Sequence, residues 1–454
     1  MKAFILSLLA LSLVSSASAQ DNPSASQPAS VPSQPKEVRQ WTLQECIDHA
    51  LTHNLSIQLR EDNVQQQEIA LSTSRNSRLP DLSGSVGESV SFGRALTANN
   101  TYANRNTQNT NFGLSTSVPL ITGGRLVHDV RMKRLGLDAA LADCDKARED
   151  VTLNVMSAYL EAIYQKDLTE VAERQLDLSR MQHRRLQLLF DNQKASEADV
   201  AQARSAVAQD ELALTQQHNA YTIALLALSQ LLELPSPDGF DVSRPDASGA
   251  VEEVVLPSPE VVYSEAQGIK PQVLSEQLRL RSAEEGVKLA RSALFPSLYF
   301  NAGLGSSYYK TSGFNSPSFH NQLRDNFSQY FGLSLSVPIF NRLSTRNNIR
   351  SARLQVHAQE IQLEETRKSL YKEIQQAYYN ALAAQRQCAS SDAALAAAQS
   401  AFSLMQRKYE NGKASATEFQ EAKTNVQRAE ASDIQSRYTF YFRRRILEFY
   451  RTRL

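Results

Sequence analysis

Cysteine is scarce in this chain: three residues in 454, Cys46, Cys144 and Cys388, with no C-x-x-C pair. That spacing excludes a disulfide framework and the common zinc and redox motifs. An excess of charge of one sign is also missing. Lys and Arg number 48, Asp and Glu 48, so net charge gives no reason to expect a nucleic-acid partner. Long apolar runs are absent as well. Phe4 to Val14 is a short apolar stretch behind Lys2, followed by Ala17-Ser18-Ala19. This is the arrangement of a secretory signal cleaved before Gln20. No cysteine follows it to carry a lipid, and no later run reaches the roughly 18 apolar residues of a membrane helix. A mature chain that enters a membrane must therefore cross it with strands. Catalytic signatures are lacking: there is no H-E-x-x-H, G-x-S-x-G or P-loop pattern. His49, His53, His128 and His183 are scattered on helical stretches. The expectation is a protein that is not an enzyme and uses no cofactor or metal.

What is present is a repetition. Phe112-Gly113-Leu114-Ser115-Thr116-Ser117-Val118-Pro119-Leu120 returns as Phe331-Gly332-Leu333-Ser334-Leu335-Ser336-Val337-Pro338-Ile339, an offset of 219 (331 − 112). Phe190-Asp191-Asn192-Gln193-Lys194-Ala195-Ser196 lies over Tyr409-Glu410-Asn411-Gly412-Lys413-Ala414-Ser415 at the same offset (409 − 190). A constant offset between such distant points means two copies of one structural unit.

Each unit begins with helical character, from Trp41 to about Ser77 and from about Pro259 to Ala293. In the first copy Thr42 and Glu45 have the spacing of a capping box. The period then changes to two. Leu82, Gly84, Val86, Val90 and Phe92 share a face that Glu88 interrupts, and Ser83, Ser85, Ser89 and Ser91 take the other. Phe112, Leu114, Thr116 and Val118 resume the alternation. The second copy offers Leu298, Phe300, Ala302 and Leu304, then Phe331, Leu333, Leu335 and Val337, with an aromatic girdle expected from Tyr299, Phe300, Tyr308, Tyr309, Tyr330, Phe331 and Phe340. Apolar residues on one face and small polar residues on the other fit strands between lipid and a watery lumen. Residues 93–108 and 309–326 are the expected extracellular loops.

Pro119 and Pro338 are expected to end the strands. Gly123-Gly124 permits a sharp strand-to-helix turn, and Asn341-Arg342 is expected in its place in the second copy. Two very long helices follow. Neither Gly nor Pro occurs from Arg342 to Asn411, and only Gly136 from Arg125 to Gln193, so each spans on the order of 100 Å. A sustained 4-3 spacing of apolar and small residues runs from Leu370 through Ile374, Ala377, Ala381, Ala384 and Cys388 to Tyr409, with its counterpart from Val151 to Phe190. This predicts coiled-coil packing. If the two helices start level, Cys144 lies roughly 30 Å and Cys388 roughly 65 Å along them, out of disulfide reach. Cys46 with Cys388 stays open. Ser196 and Ser415 are candidate caps for the returning helices.

Together the opening Trp41-Thr42-Leu43-Gln44-Glu45-Cys46-Ile47, the segment Val118-Pro119-Leu120-Ile121-Thr122-Gly123-Gly124-Arg125 with its echo at Val337, and the tip Tyr409-Glu410-Asn411-Gly412-Lys413 resemble the outer membrane efflux protein family, the TolC-like channel-tunnels. The resemblance implies a mainly α fold with membrane β: long coiled-coil helical hairpins and four membrane strands per chain. It implies a homotrimer closing a twelve-stranded barrel, continued by an α-helical barrel into the periplasm of a Gram-negative cell. It also implies docking to a periplasmic adaptor and, through it, to an inner-membrane pump or exporter, for efflux or type I secretion. A coiled-coil periplasmic adaptor is the alternative.

The expected organisation is a signal peptide (1–19), a Pro/Ser/Gln-rich lead (20–40), a first repeat (41–233, β-hairpin about 82–118, helical hairpin about 123–233), a linker (234–258) and a second repeat (259–454, β-hairpin about 297–338, helical hairpin about 343–450). Adaptor docking is expected at the tips, Asn192, Gln193 and Lys194 with Asn411, Gly412 and Lys413. Glu418 and Glu421 stand at i, i+3 on one helix face, and the resemblance implies that acidic residues at these positions form rings lining a periplasmic gate. Asp199 stands at the matching position in the first copy and Gln202 replaces Glu421 there. Like-charge proximity in such rings is expected to raise the carboxyl pKa values.

Overall fold

The computed structural model describes residues 39–96, 100–237, 239–244, 255–313 and 315–452. The expected signal peptide and nearly all of the lead lie outside these residues, as does part of the linker.

The chain opens with a short strand, β1 (Arg39–Trp41), then α1 (Leu43–His53) and α2 (Leu55–Asn76). Thr42 caps α1 and Glu45 returns the bond to its N–H, the capping box expected from the spacing. One continuous helix was expected here. It is broken at Asn54, whose extended backbone ends α1 while its side chain caps α2. Strands β2 (Asp81–Ser91), β3 (Arg94–Leu96), β4 (Tyr102–Asn104) and β5 (Thr107–Ile121) lead to α3 (Arg125–Asp191) and α4 (Glu197–Leu231). The stretch expected to be a plain loop thus contains a small β3–β4 hairpin. Strand β6 (Phe240–Val242) pairs in parallel with β1.

The second repeat has α5 (Pro259–Ile269), α6 (Pro271–Ser292), β7 (Ser297–Thr311), α7 (Phe319–Asp325), β8 (Ser328–Ser336), α8 (Ser344–Glu410) and α9 (Ala416–Arg451). Its first helix is again divided, at Lys270, because the residue before a proline avoids the helical region. The paired helices agree in length: 11 residues in α1 and α5, 22 in α2 and α6, 67 in α3 and α8. The duplication is therefore structural as well as sequential. The expected second loop holds the short helix α7. There the Gln322 side chain bonds both the N–H and the C=O of Tyr309 (2.8 and 3.0 Å), beyond the last paired residue of β8. It satisfies a strand edge that would otherwise be bare.

Four strands form one antiparallel sheet in the order β2-β5-β7-β8. The register puts Leu82, Thr116, Ala302 and Phe331 in one row and Gly84, Leu114, Leu304 and Gln329 in the next, all on one face. Ser83, Ser115, Gly303 and Tyr330 form a row of the other. Glu88 interrupts the apolar face near its loop end, where Gln108 donates to it at 2.6 Å. The expected girdle divides between the faces. Phe300, Tyr308 and Phe331 join the apolar rows, whereas Tyr299, Tyr309 and Tyr330 fall on the small-residue face by strict alternation. Tyr330 lies over Gly303, where a Cβ would come within 2.6 Å of its ring.

Helices α2, α3, α6 and α8 continue the four strands in the same lateral order. Further along, α3 packs with α4 and α8 with α9 as antiparallel hairpins, and α9 also meets α3. The buried residues of α8 include Leu370, Ile374, Ala377, Ala381, Ala384, Cys388 and Ser391, the expected 4-3 seam. In α3 the buried set includes Val151, Val155, Ala162, Thr169, Ala172 and Leu176. Two apolar clusters anchor the middle of the molecule. Trp41, Tyr159, Leu228, Phe240 and Val242 gather around α1 and the β1–β6 pair; Val262, Leu370, Ile374 and Leu447 do so around α5. The three cysteines are free and buried, and burial pushes the Cys46 thiol up to about 12.

Candidate functional site

The junction between sheet and helices sets the direction of each hairpin. Pro119 does not end its strand. β5 runs on to Ile121, with a register irregularity between Pro119 and Ile121. β2 pairs with β5 only as far as Ser117, so the missing proline N–H removes no bond on that side. Pro338 lies beyond β8. Gly123 and Gly124 take φ of 59° and 83°, the left-handed turn that glycine accepts without strain. A Cβ at Gly123 would come within 2.7 Å of the Ser292 carbonyl and the Phe295 side chain. The counterparts in the second repeat are Arg342 and Leu343, at φ 54° and 62°, not the expected Asn341-Arg342. The turn is the same, built there from two residues that disfavour it.

At the opposite end each long helix closes with a Schellman turn. Gln193 N–H donates to Phe190 O and Lys194 N–H to Leu189 O; Gly412 N–H donates to Tyr409 O and Lys413 N–H to Lys408 O. Gln193 and Gly412 both have positive φ, 58° and 70°. Asn192, Lys194, Asn411 and Lys413 flank these turns and are exposed.

Ser196 and Ser415 start the returning helices in capping boxes, with Asp199 and Glu418 as the acidic members. The Ser415 N–H and hydroxyl donate to the Glu418 carboxylate at 2.7 and 2.8 Å. These bonds hold its pKa below the ordinary value, and the Ser196 hydroxyl and N–H do the same for Asp199. Capping favours the carboxylate of both residues within one chain; the upward shift expected of an acidic ring needs carboxyls from neighbouring copies, which one chain does not bring together. Glu418 and Glu421 are both exposed, while Phe419 and Lys423 between and beyond them are buried. The face carrying the two acids is therefore free.

Sequence reasoning missed what lies behind that face. Lys423, 2% exposed, donates to Asp210 of α4 and Ser179 of α3. It ties the second hairpin to the first near both tips. Phe419 stacks on Tyr409 with ring centroids 4.8 Å apart and meets Phe402 at 5.7 Å. A cavity of about 190 Å³ lies alongside, lined by Leu186, Gln202, Tyr409, Phe419, Gln420 and Lys423. A hint lay in the spacing of Lys423 from Phe419 and Val426, with which it is buried on one side of α9.

A sheet with one apolar face, continued by hairpins that end in polar tips, defines the class: a strand-anchored membrane channel with a helical extension. The sequence profile described as outer membrane efflux protein matches residues 46–233 and 262–445. The chain belongs to the outer membrane efflux protein family. Protein CyaE of Bordetella pertussis is 25% identical over 357 residues, which is 75% of this chain and 69% of that protein. The toluene efflux pump outer membrane protein TtgI of Pseudomonas putida is 30% identical over 227 residues, 48% of this chain and 44% of that protein, so the match spans under half of either length. Among solved structures CusC superposes with a TM-score of 0.74 at 19% identity, covering 94% of this chain and 98% of that one. The Campylobacter jejuni CmeC outer membrane channel gives 0.74 at 18%, covering 96% and 94%. The protein is thus an outer membrane channel component and not an enzyme or a periplasmic adaptor.

Proposed function

We propose that three copies of the chain close one barrel of twelve strands, and that the hairpins carry its lumen across the periplasm to a pump-bound adaptor. The observation that carries this reading is the open sheet. β2 and β8 are edge strands, and Leu82, Phe331 and Leu333 on the apolar face are 72%, 73% and 67% exposed. An unpaired edge in hydrocarbon costs several kcal/mol per bare backbone group. Copies pairing β8 to the next β2 remove both edges. On this reading the apolar face meets lipid, and the Ser- and Gly-rich face lines the pore. The segments around Asn100 and Ser316 face the cell exterior. The organisation into signal, lead, two repeats and linker belongs to the same proposal.

The gate lies at the tips. Threefold symmetry turns Glu418 and Glu421 into stacked acidic rings, with Asp199 contributing from the first hairpin, and such rings attract cations in a narrow passage. The adaptor docks on the turns at Asn192–Lys194 and Asn411–Lys413, and an inner-membrane pump or exporter acts through it. Planar-bilayer recording of the Glu418→Gln, Glu421→Gln double variant tests the gate. Cation selectivity and block by multivalent cations both fall if the rings line the lumen. Unchanged values place these carboxylates on the outer face and overturn the gate assignment.

A further inference from the structure

The helical layer beneath the sheet has two unlike faces. A groove of about 490 Å³ takes its lining from all four helices, including Gln67 of α2, Gly136 of α3, Ser282 of α6 and Gln355 and Gln359 of α8. A surface shared by four neighbouring helices is the concave side of their layer. At 100° per residue, Arg346, Arg350 and Arg353 fall on the opposite side of α8 from Gln355 and Gln359, and Arg342 lies in the turn just ahead of the helix. Arg131 and Arg134 of α3 likewise lie opposite Gly136. All six are exposed, and none makes an ion pair with the described residues. No Asp or Glu occurs from 341 to 359, in a chain whose charges balance over its whole length.

Three features set this basic face apart from an ordinary solvated one. It crowds the first turns of α8, where the helix dipole favours acids and the first turn has none. Arg342 and Leu343 keep side chains in a left-handed turn for which the first repeat uses glycine. The face also begins directly after two exposed apolar residues: Ile339 and Phe340, 94% and 76% exposed, immediately precede it. Apolar and aromatic residues followed within one or two turns by arginines are the profile of an acyl boundary passing into headgroups.

We propose that this convex basic collar binds anionic phospholipid headgroups of the leaflet from which the helices emerge. The inference rests on the membrane reading above and adds a lipid specificity to it. The guanidiniums of Arg346, Arg350 and Arg353 span roughly 10 Å along the helix, somewhat more than the roughly 5–8 Å depth of a headgroup layer, and their long side chains reach across the difference. Each offers a forked set of donors to a phosphate.

The test compares the full protein with an Arg346→Gln, Arg350→Gln, Arg353→Gln variant. All three positions are exposed, so the fold is retained; near-identical circular dichroism checks it. Both are inserted into nanodiscs of phosphatidylcholine alone and of phosphatidylcholine with cardiolipin. Native mass spectrometry then counts the cardiolipin retained. Each guanidinium near an anionic surface is worth about fivefold. The triple variant is expected to bind cardiolipin on the order of a hundredfold more weakly, and Lys at the same positions to restore most of it. Equal retention by both proteins overturns the collar, as does equal retention of phosphatidylcholine and cardiolipin by the unaltered protein. Failure of both proteins to enter any bilayer overturns the membrane reading itself, which separates the two failures.

Discussion

Lys423→Ala is the sharpest test of how the tips are held. The ammonium of Lys423 is buried and bonds both Asp210 and Ser179. Its removal leaves the Asp210 carboxylate, with a side chain only 15% exposed, facing a single hydroxyl. Breaking one partner out of a buried pair costs about 3–5 kcal/mol. The residual exposure of Asp210 and its bond from Ser179 place the loss at the lower end, about 3 kcal/mol. The assembly is too large for a two-state global measurement, so the readout is local. Amide hydrogen exchange in α3 around Ser179 and in α9 around Lys423 should quicken on the order of a hundredfold. The Lys423→Met, Asp210→Leu double variant should return close to the original rate, because an apolar pair of similar volume replaces an ion pair with little loss. A rise below about fivefold in the single variant, or no recovery in the double, would refute the claim that this lysine fastens the two hairpins.

Three further outcomes follow from the local geometry. Gln193→Gly should stabilise the first tip by about 1 kcal/mol, because glycine occupies a positive φ without a Cβ penalty. Gly412→Val should destabilise the second by a similar or larger amount, although its surroundings are open; exchange at the two tip turns measures both. Burial raises the Asp241 pKa, but the Lys166 ammonium, the Tyr221 hydroxyl and the Val242 N–H outweigh it, and the net shift is downward from 3.8. A depressed carboxyl contributes stability that is present above its unfolded value and lost as pH falls through the folded one. The β1–β6 pair should therefore loosen as the pH falls below about 3.8, and Asp241→Asn should remove that dependence. Cleavage by pepsin after Phe240 follows the transition.

Much of the fold was legible because it depends on period and repetition. The 219-residue offset located both strand pairs and both hairpins, and the 4-3 spacing named the buried residues of α8 from Leu370 to Ser391 but not Thr345, Ile349, Ala352 and Leu363 nearer its start. The capping box at Thr42 and the caps at Ser196 and Ser415 were readable because they are local. The breaks at Asn54 and Lys270 were also local, yet the surrounding helical pattern continued through them and masked them. Other features depended on contacts between distant residues. Lys423 meets partners 213 and 244 positions away, and spacing within one helix does not identify which residues face it from others. Gln322 closes the edge of β7 by a side-chain geometry that no pattern encodes. The left-handed turn at Arg342-Leu343 was hidden because the usual signal for such a turn is glycine. At the tip, capping lowers the Glu418 and Asp199 pKa values within one chain, an effect separate from the ring proximity that the spacing suggested.

The central claim is that the open four-stranded sheet is completed by other copies of the same chain. Native mass measurement of the protein extracted from the outer membrane in mild detergent tests this most directly. The account predicts a single species of three protomers that falls to the protomer mass only on heating in denaturant. A stable, folded monomer that retains channel conductance would contradict it, because one chain has both β2 and β8 as bare edges.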